Sequence, residues 1–388
     1  MKSSVAILGS TGSIGVSTLS VLSKSRKYKI KLLTTNKNAN KILKQASKFK
    51  VKNVIITNKK SYFKYKPIFK KKKINLFYEI DKLKKIFKKE RITYTINAIS
   101  GIDGLEPTLK IIPHTKNILI ANKESIICGW HIISSVLKKN KTNFIPIDSE
   151  HFSIWKLIKN EPAENIEKII LTASGGPFLN KSFKKNKSIL PKDALNHPIW
   201  KMGKKISIDS SNMMNKVFEL IEAKKIFNIK KNKISILIHP TSYIHAIVLF
   251  KNDLIKLLAH DADMKIPISN ALNMTNYTKI VNLNINKLNE MKFILPNIKK
   301  FPLISLIDKI PDNDSYFETI LISLNDILVD KYLNGEINYI SIQKNLLKLI
   351  EKPLFKKYYK LKPKNIYDIK KMILITKNYL NLNMKHYA

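Results

Sequence analysis

Val5-Ala-Ile-Leu-Gly-Ser-Thr-Gly-Ser-Ile-Gly15 decides how the chain is read. Val5 to Leu8 form a short apolar run, the mark of a strand buried on both faces. Gly9, Gly12 and Gly15 follow, and apolar residues then recur at helical spacing through Leu19 and Leu22. Strand, glycine turn and helix in that order make a cradle for phosphate. Glycines let the backbone approach the anion, and the helix N-terminus presents unpaired N–H groups. The spacing is GxxGxxG rather than GxGxxG, so the context carries more weight than the pattern.

Outward from this stretch, strands are expected at residues 29–34, 53–57, 93–98, 117–121 and 143–147, with helical patterns between them. Such alternation predicts an α/β fold with a Rossmann-like, doubly wound parallel sheet. Ligands bind such sheets beyond the carboxyl ends of the strands. Residues 62–73, lysine-rich around Pro67, read as a solvated connector. The second strand runs into Thr35-Asn-Lys-Asn38 with no acid for the ribose 2′-hydroxyl of NADH. Lys37 and Asn38 suit a 2′-phosphate instead, which favours NADPH.

Ile145-Pro-Ile-Asp-Ser-Glu-His151 reads as a buried strand ending in a pair of acids. In extended backbone Asp148 and Glu150 share one face, and like charges kept together imply a cation between them. The plainer reading is a solvated Asp-x-Glu at a strand end. Ser100-Gly101 and Ala121-Asn-Lys-Glu124 fall at neighbouring strand ends, which places Lys123 towards the acids and the cofactor; the plainer reading of Lys123 is a surface lysine.

A strand from Ile169 runs into Ser174-Gly-Gly, whose hydroxyl and free N–H groups suit phosphate. Residues 178–202, polar with His197 and Trp200 near the end, read as a flap or as a plain surface loop. A strand is expected at 205–209, then a helix through Phe227 capped by Ser211 or Asn212. Ser210, Asn215 and Lys216 gather near its positive end. Glu219 lies one turn beyond Asn215, ~5–6 Å along the same face. A third carboxylate would complete a hard-oxygen set suited to Mg²⁺ or Mn²⁺. His239 and His245 fit either polar contacts or satisfied core positions.

The 388 residues are 44% hydrophobic, enough for two or three cores. A formal net charge of +43 invites a nucleic-acid reading. Against it, the only arginines are Arg26 and Arg91, and the lysines are spread along the chain. Lys, Asn and Ile also share A/T-rich codons. The charge still draws anionic, phosphorylated substrates. A lone cysteine, Cys128, excludes an intrachain disulfide and fits a reducing cytoplasm. The longest apolar stretch, residues 234–250, is broken by His239, Pro240 and His245, so no membrane span is expected. The N-terminus reads as fold and not as a signal peptide.

Six ordered motifs resemble 1-deoxy-D-xylulose 5-phosphate reductoisomerases over nearly the whole chain. They are Gly9-Ser-Thr-Gly-Ser-Ile-Gly15, Leu119-Ile-Ala-Asn-Lys-Glu-Ser125, Pro146-Ile-Asp-Ser-Glu-His151, Thr172-Ala-Ser-Gly-Gly-Pro-Phe178, Met213-Met-Asn-Lys216 and His239-Pro-x-Ser-x-Ile-His245. The resemblance implies conversion of deoxyxylulose phosphate to 2-C-methyl-D-erythritol 4-phosphate, in isoprenoid biosynthesis, with NADPH and a divalent metal. It implies carbon–carbon cleavage and rejoining, then hydride delivery. It implies Asp148, Glu150 and Glu219 as metal ligands and Lys123 as a catalytic companion. Ser149, Lys123 and Lys216 would contact substrate. Ser174, Ser210 and Asn215 would hold its phosphate, His197 and Trp200 would sit on the lid, and His245 would support the site. Thr11, Gly12, Ser13, Ile14, Lys37, Asn38, Asn122, Lys123, Glu124 and Gly203 would contact NADPH. The chain departs from the family at Ile199, Val217 and Thr241, where Asn, Gly and Gln are usual.

The expected division is 1–148 for NADPH, 149–276 as a central α+β catalytic domain with its lid, 277–300 as linker and 301–388 as a helical bundle. Helices are expected at 315–333, 340–349 and 367–380. The resemblance also suggests a homodimer. Two other readings are another NADPH-linked reductase of a phosphorylated or acidic small substrate, and a basic binding protein. The first would not need three carboxylates; the second would need clustered charge.

Overall fold

The computed structural model describes residues 2–87, 90–181, 189–274 and 285–383. Contacts divide the chain into two compact units. The first comprises Met1–Ile126, Trp130–Phe152 and Asp263–Asn282; the second comprises Ile127–Gly129, Ser153–Ala262 and Leu283–Ala388.

The first unit is built on seven parallel strands: β1 (Ser3–Leu8), β2 (Tyr28–Thr35), β3 (Asn53–Ile56), β4 (Asn75–Phe77), β5 (Ile92–Asn97), β6 (Thr115–Ile120) and β7 (Asn143–Pro146). Their order is β4-β3-β2-β1-β5-β6-β7, with every pair parallel. Val5, Ala6, Ile7 and Leu8 are fully buried, because helices cover both faces of a parallel sheet. The doubly wound expectation is met. β4, too short to signal itself, is an addition.

Residues 62–73 are not a loop. Helix Lys59–Lys71 covers most of them, and Asn58 caps it by accepting the Ser61 N–H at 3.0 Å. Tyr62, Tyr65 and Phe69 recur at three and four and pack into the core, with Phe69 fully buried. The many lysines masked that stripe. Pro67 removes one helical hydrogen bond without ending the helix. Helix Lys265–Ala271 also packs on this unit; the Tyr28 hydroxyl donates to the Leu272 carbonyl at 2.5 Å.

The second unit holds a mixed sheet: β8 (Ile166–Ala173), β9 (Ile234–Ile238), β10 (Ile244–Phe250) and β11 (Ile255–Ala259), in the order β11-β10-β8-β9. β8 and β9 are parallel, and β10 runs antiparallel to β8 and β11. Helix Met214–Phe227 packs against β8 and β9. Helices Phe317–Leu333, Tyr339–Leu349 and Ile366–Asn383 form the expected C-terminal bundle.

Residues 205–209 are helical, not extended: they lie in helix Lys204–Ser211. Ile206 and Ile208 mimic strand alternation, but the buried set Ser207, Ile208 and Ser211 is one helical face. Buried Asp209 accepts from Asn325 Nδ2 at 2.8 Å, tying this helix to the bundle. Residues 182–188 of the expected flap and 277–284 of the expected linker lie outside the described residues. Beyond them, Ile294 exchanges backbone hydrogen bonds with Ile238 at 2.8 and 2.9 Å. Among the described residues no helix is long and apolar enough to cross a membrane.

Candidate active site

In the first unit the strand order turns around between β1 and β5, and a cavity of about 570 Å³ opens at their carboxyl ends. Gly9 sits at φ +80°, and a Cβ there would lie 2.7 Å from the Ala98 carbonyl oxygen. Only glycine lets the turn pass so close to the end of β5. The turn is braced from β2: the Gly9 N–H donates to Thr34 Oγ1 at 3.0 Å, and Thr11 and Thr35 hydroxyls meet at 2.7 Å. Gln45 holds Ser10 at both its carbonyl (2.9 Å) and its hydroxyl (2.8 Å). Thr11, Gly12, Lys37 and Asn38 all line the cavity. Ser13 and Ile14 begin helix Ser13–Leu22, where first-turn N–H groups have no intrahelical acceptor.

Asn122 is committed to the protein. Its amide donates to the Ile99 and Gly101 carbonyls at 2.5 and 2.6 Å, and its oxygen accepts the Ser125 N–H at 2.6 Å. It therefore pins the loop after β5 to the helix that begins at Lys123. Buried Glu124 lies in the first turn of that helix.

Asp148 and Glu150 are not two positions of one strand. β7 ends at Pro146, and helix Ser149–Leu157 begins one residue after Asp148, with Glu150 in its first turn. The strand-to-helix turn still brings carboxylate oxygens of the two within 4.8 Å of each other. Asp148 receives Lys123 Nζ at 3.0 Å on one oxygen and faces His151 Nδ1 at 3.0 Å on the other. Burial alone would raise its carboxyl, but the Lys123 ammonium and the His151 ring hold it well below the usual carboxylate range. Buried Ser149 donates to Glu150 Oε2 at 2.5 Å. His151 had no assigned role in the sequence; its position three residues after Asp148 was the available signal.

In the second unit, Gly175 and Gly176 adopt φ of +80° and +67°. A Cβ on Gly176 would lie 2.9 Å from the Ser210 carbonyl oxygen, so glycine lets the Ser174 turn meet the end of helix Lys204–Ser211. His197 Nδ1 accepts the N–H groups of Ile199 (3.2 Å) and Trp200 (2.9 Å). The ring is therefore neutral with its proton on Nε2, which donates to Ser174 Oγ at 2.9 Å. Burial, and next the Lys216 charge, lower the His197 pKa to about 4. Ser174 Oγ also accepts the Gly176 N–H at 3.1 Å, which leaves its own proton to donate outward. That arrangement suits an anion.

Helix Met214–Phe227 is capped by neither Ser211 nor Asn212. Met213 takes the N-cap position at φ 67°, and Asn212 Oδ1 accepts the Met214 N–H at 3.0 Å. Asn215 and Lys216 both donate to the buried Glu219 carboxylate, as their helical spacing allows. Gly203 caps helix Lys204–Ser211 and is exposed. His245 stacks on His260 with ring centroids 3.8 Å apart, and Trp200 meets it edge-on at 6.0 Å. His239 is tied to the Lys292 carbonyl at 3.0 Å and to Thr241 Oγ1 at 2.9 Å, the satisfied reading. Val217 is fully buried within its helix and is accommodated there.

Three family models match the chain. They describe 1-deoxy-D-xylulose 5-phosphate reductoisomerase (residues 5–129), its C-terminal domain (144–227) and the DXP reductoisomerase C-terminal domain (260–378). A curated 1-deoxy-D-xylulose 5-phosphate reductoisomerase of Pelagibacter ubique is 51% identical over 95% of this chain and 96% of its own length. The protein of the same name from Clostridium novyi is 37% identical over 87% and 89%. A crystal structure of DOX-P reductoisomerase in complex with NADPH, fosmidomycin and magnesium superposes with a TM-score of 0.90 at 30% identity, covering 99% of this chain and 98% of that one. The Zymomonas mobilis enzyme in complex with NADPH superposes at 0.86 with 29% identity, covering 97% and 98%.

Proposed function

Since the chain belongs to the 1-deoxy-D-xylulose 5-phosphate reductoisomerase family, we infer that it converts 1-deoxy-D-xylulose 5-phosphate to 2-C-methyl-D-erythritol 4-phosphate. It uses NADPH and a divalent cation, Mg²⁺ or Mn²⁺, and serves isoprenoid precursor synthesis. The observation that carries the reading is that one chain holds both kinds of site the reaction needs. Asp148 and Glu150 supply close carboxylates, and Ser174, His197 and Lys216 supply an anion cradle.

In this reading Asp148, Glu150 and Glu219 are the metal ligands. Hard carboxylate oxygens in partly and fully buried settings fit such an ion. A bound cation supplies Lewis-acid polarisation and NADPH supplies hydride. The protein's residues do the rest. Ser174, Ser210 and Asn215 bind the substrate phosphate, with His197 and Trp200 closing over it. Ser149 and Lys216 orient the substrate. Lys123, already beside Asp148, places positive charge where an enolate develops. Thr11, Gly12, Ser13 and Ile14 receive the pyrophosphate, Lys37 and Asn38 the 2′-phosphate, and Lys123, Glu124 and Gly203 the remainder of NADPH, while Asn122, its side chain spent on Ile99, Gly101 and Ser125, positions that wall and does not bind through its amide. Functionally, residues 1–148 bind NADPH, 149–276 carry the chemistry, 277–300 link and 301–388 support.

The test is an NADPH-oxidation assay with deoxyxylulose phosphate and Mg²⁺ or Mn²⁺. Oxidation that needs both substrate and metal, and stops with chelator, supports the reading. No oxidation with both saturating rejects it.

The proposal extends to a cytoplasmic homodimer. The single cysteine, buried Cys128, fits a reducing compartment. β11 pairs only with β10 among the described residues, and Leu254, Ile255 and Leu257 are 56%, 63% and 45% exposed on it or beside it. An apolar open edge invites pairing with a second copy. Light scattering should give twice the 44.7 kDa chain mass, and Ile255→Lys with Leu257→Lys should halve it.

A further inference from the structure

The geometry points to Asp103 as a specificity-determining residue for the cofactor: the acceptor for the exocyclic amine of the NADPH adenine. The inference rests on the NADPH assignment above. Two parts of the dinucleotide already have anchors around the cavity, the pyrophosphate at the Gly9–Gly12 turn and the 2′-phosphate at Lys37 and Asn38. A further part of the wall is formed by Ile80, Pro107 and Asp103. Ile80 and Pro107 offer apolar faces for a flat ring, and Asp103 offers an acceptor at its edge. Apolar faces with one or two placed polar groups are how small-ligand pockets fix orientation.

The backbone that carries Asp103 is held in place, while its side chain is exposed and uncommitted. It lies in the short turn Ile102–Gly104, whose flanks are pinned by Asn122; a Cβ on Gly104 would lie 2.9 Å from Asn122 Nδ2. Among the described residues nothing hydrogen-bonds or ion-pairs with Asp103, in a chain with 71 Lys and Arg against 28 Asp and Glu. Glu106, on the same wall, is occupied: Lys110 pairs with it at 2.6 Å and with Asp81 at 2.7 Å. An ionised carboxylate only accepts hydrogen bonds and repels phosphate. Adenine's exocyclic amine is a donor that lies away from both phosphates.

Reduced nicotinamide hypoxanthine dinucleotide phosphate tests this, because it replaces the amine with a carbonyl oxygen. Dissociation constants of NADPH and of this analogue are measured by reduced-nicotinamide fluorescence on the wild-type protein and on Asp103→Asn. The wild type should bind NADPH about tenfold more tightly than the analogue, the worth of one hydrogen bond to a charged group. Asp103→Asn can turn its amide to donate to the carbonyl, so the preference should vanish or reverse. A wild-type ratio near one, or a ratio that survives Asp103→Asn, overturns the inference while leaving the NADPH assignment intact. Absence of NADPH binding to the wild type overturns both.

Discussion

Ser174 and His197 meet at 2.9 Å, Oγ to Nε2, and the direction of that bond is set from behind the ring. Two backbone N–H groups occupy Nδ1, so the imidazole cannot carry a second proton there without breaking both contacts. The consequence reaches the substrate. Ser174 accepts a hydrogen bond from His197 and keeps its own proton to donate to a phosphate.

That relationship predicts a pH dependence. The folded ring stays neutral down to about pH 4, whereas the same histidine in an unfolded chain protonates near its ordinary 6.5. Between these values the unfolded state binds the extra proton. The His197 contribution to stability is therefore intact above about 6.5 and declines as pH falls towards 4. Thermal unfolding of the wild type should lose more over this window than His197→Gln does. A histidine NMR resonance assigned to His197 should titrate near 4; a midpoint at 6.5 would contradict the assigned tautomer.

Gly176→Ala should damage substrate binding without touching the cofactor. The position combines φ +67° with a Cβ only 2.9 Å from the Ser210 carbonyl oxygen. Both strains push the Ser174 turn away from Ser210, at a cost of about 1–3 kcal/mol. Denaturant unfolding should show that loss. KM for deoxyxylulose phosphate should rise several-fold while KM for NADPH stays level. A rise in both would mean that the substitution disturbs more than the turn.

These two sites also mark what the sequence discloses. Strands such as Val5–Leu8 are fully buried, so their apolar runs are unambiguous, and the parallel sheet follows from their spacing. Asp148 and Glu150 are legible as a pair by residue type. Their backbone is not: a strand passing into a helix within three residues leaves no periodicity to read. Residues 205–209 mislead for a related reason. Two isoleucines two apart fit a strand face, and Asp209 looks like a strand-end acid until Asn325 is seen to satisfy it. The helix Lys59–Lys71 is hidden by lysines that solvate its outer face while Tyr62, Tyr65 and Phe69 supply the inner one. Asn122 shows the limit for function. Its motif suggests cofactor contact, but in the folded chain its amide is spent on Ile99, Gly101 and Ser125.

Lys37 carries the next prediction. It lines the same cavity as Thr11 and Gly12, at the end of β2 where no acid stands. A lysine there binds a 2′-phosphate as a point charge and gains nothing from a bare 2′-hydroxyl. Lys37→Ala should weaken NADPH by about tenfold, the worth of one charge-assisted hydrogen bond, and leave NADH unchanged. The ratio of the two dissociation constants is the readout. An equal loss for both dinucleotides would place Lys37 elsewhere along the cofactor.

Glu219→Gln separates the metal from the cofactor. The carboxylate is 1% exposed and takes bonds from both Asn215 and Lys216, so two donors compete for oxygens that the proposal also gives to a cation. The amide keeps one acceptor but turns an NH₂ towards those donors and leaves the Lys216 charge uncompensated. Removing one partner of a buried ion pair costs about 3–5 kcal/mol, so some stability should be lost. The functional loss should exceed what stability explains. Mn²⁺ affinity, followed by electron paramagnetic resonance, and kcat should each fall by about a hundredfold or more, the larger effect of losing a ligand charge. NADPH affinity, by fluorescence, should stay within about twofold, because its proposed phosphate anchors lie in the first unit and make no use of this carboxylate. Simultaneous loss of NADPH and Mn²⁺ binding in a folded variant would show that the two sites are not independent. Unchanged Mn²⁺ affinity would remove Glu219 from the ligand set and leave it as the partner that orients Asn215 and Lys216.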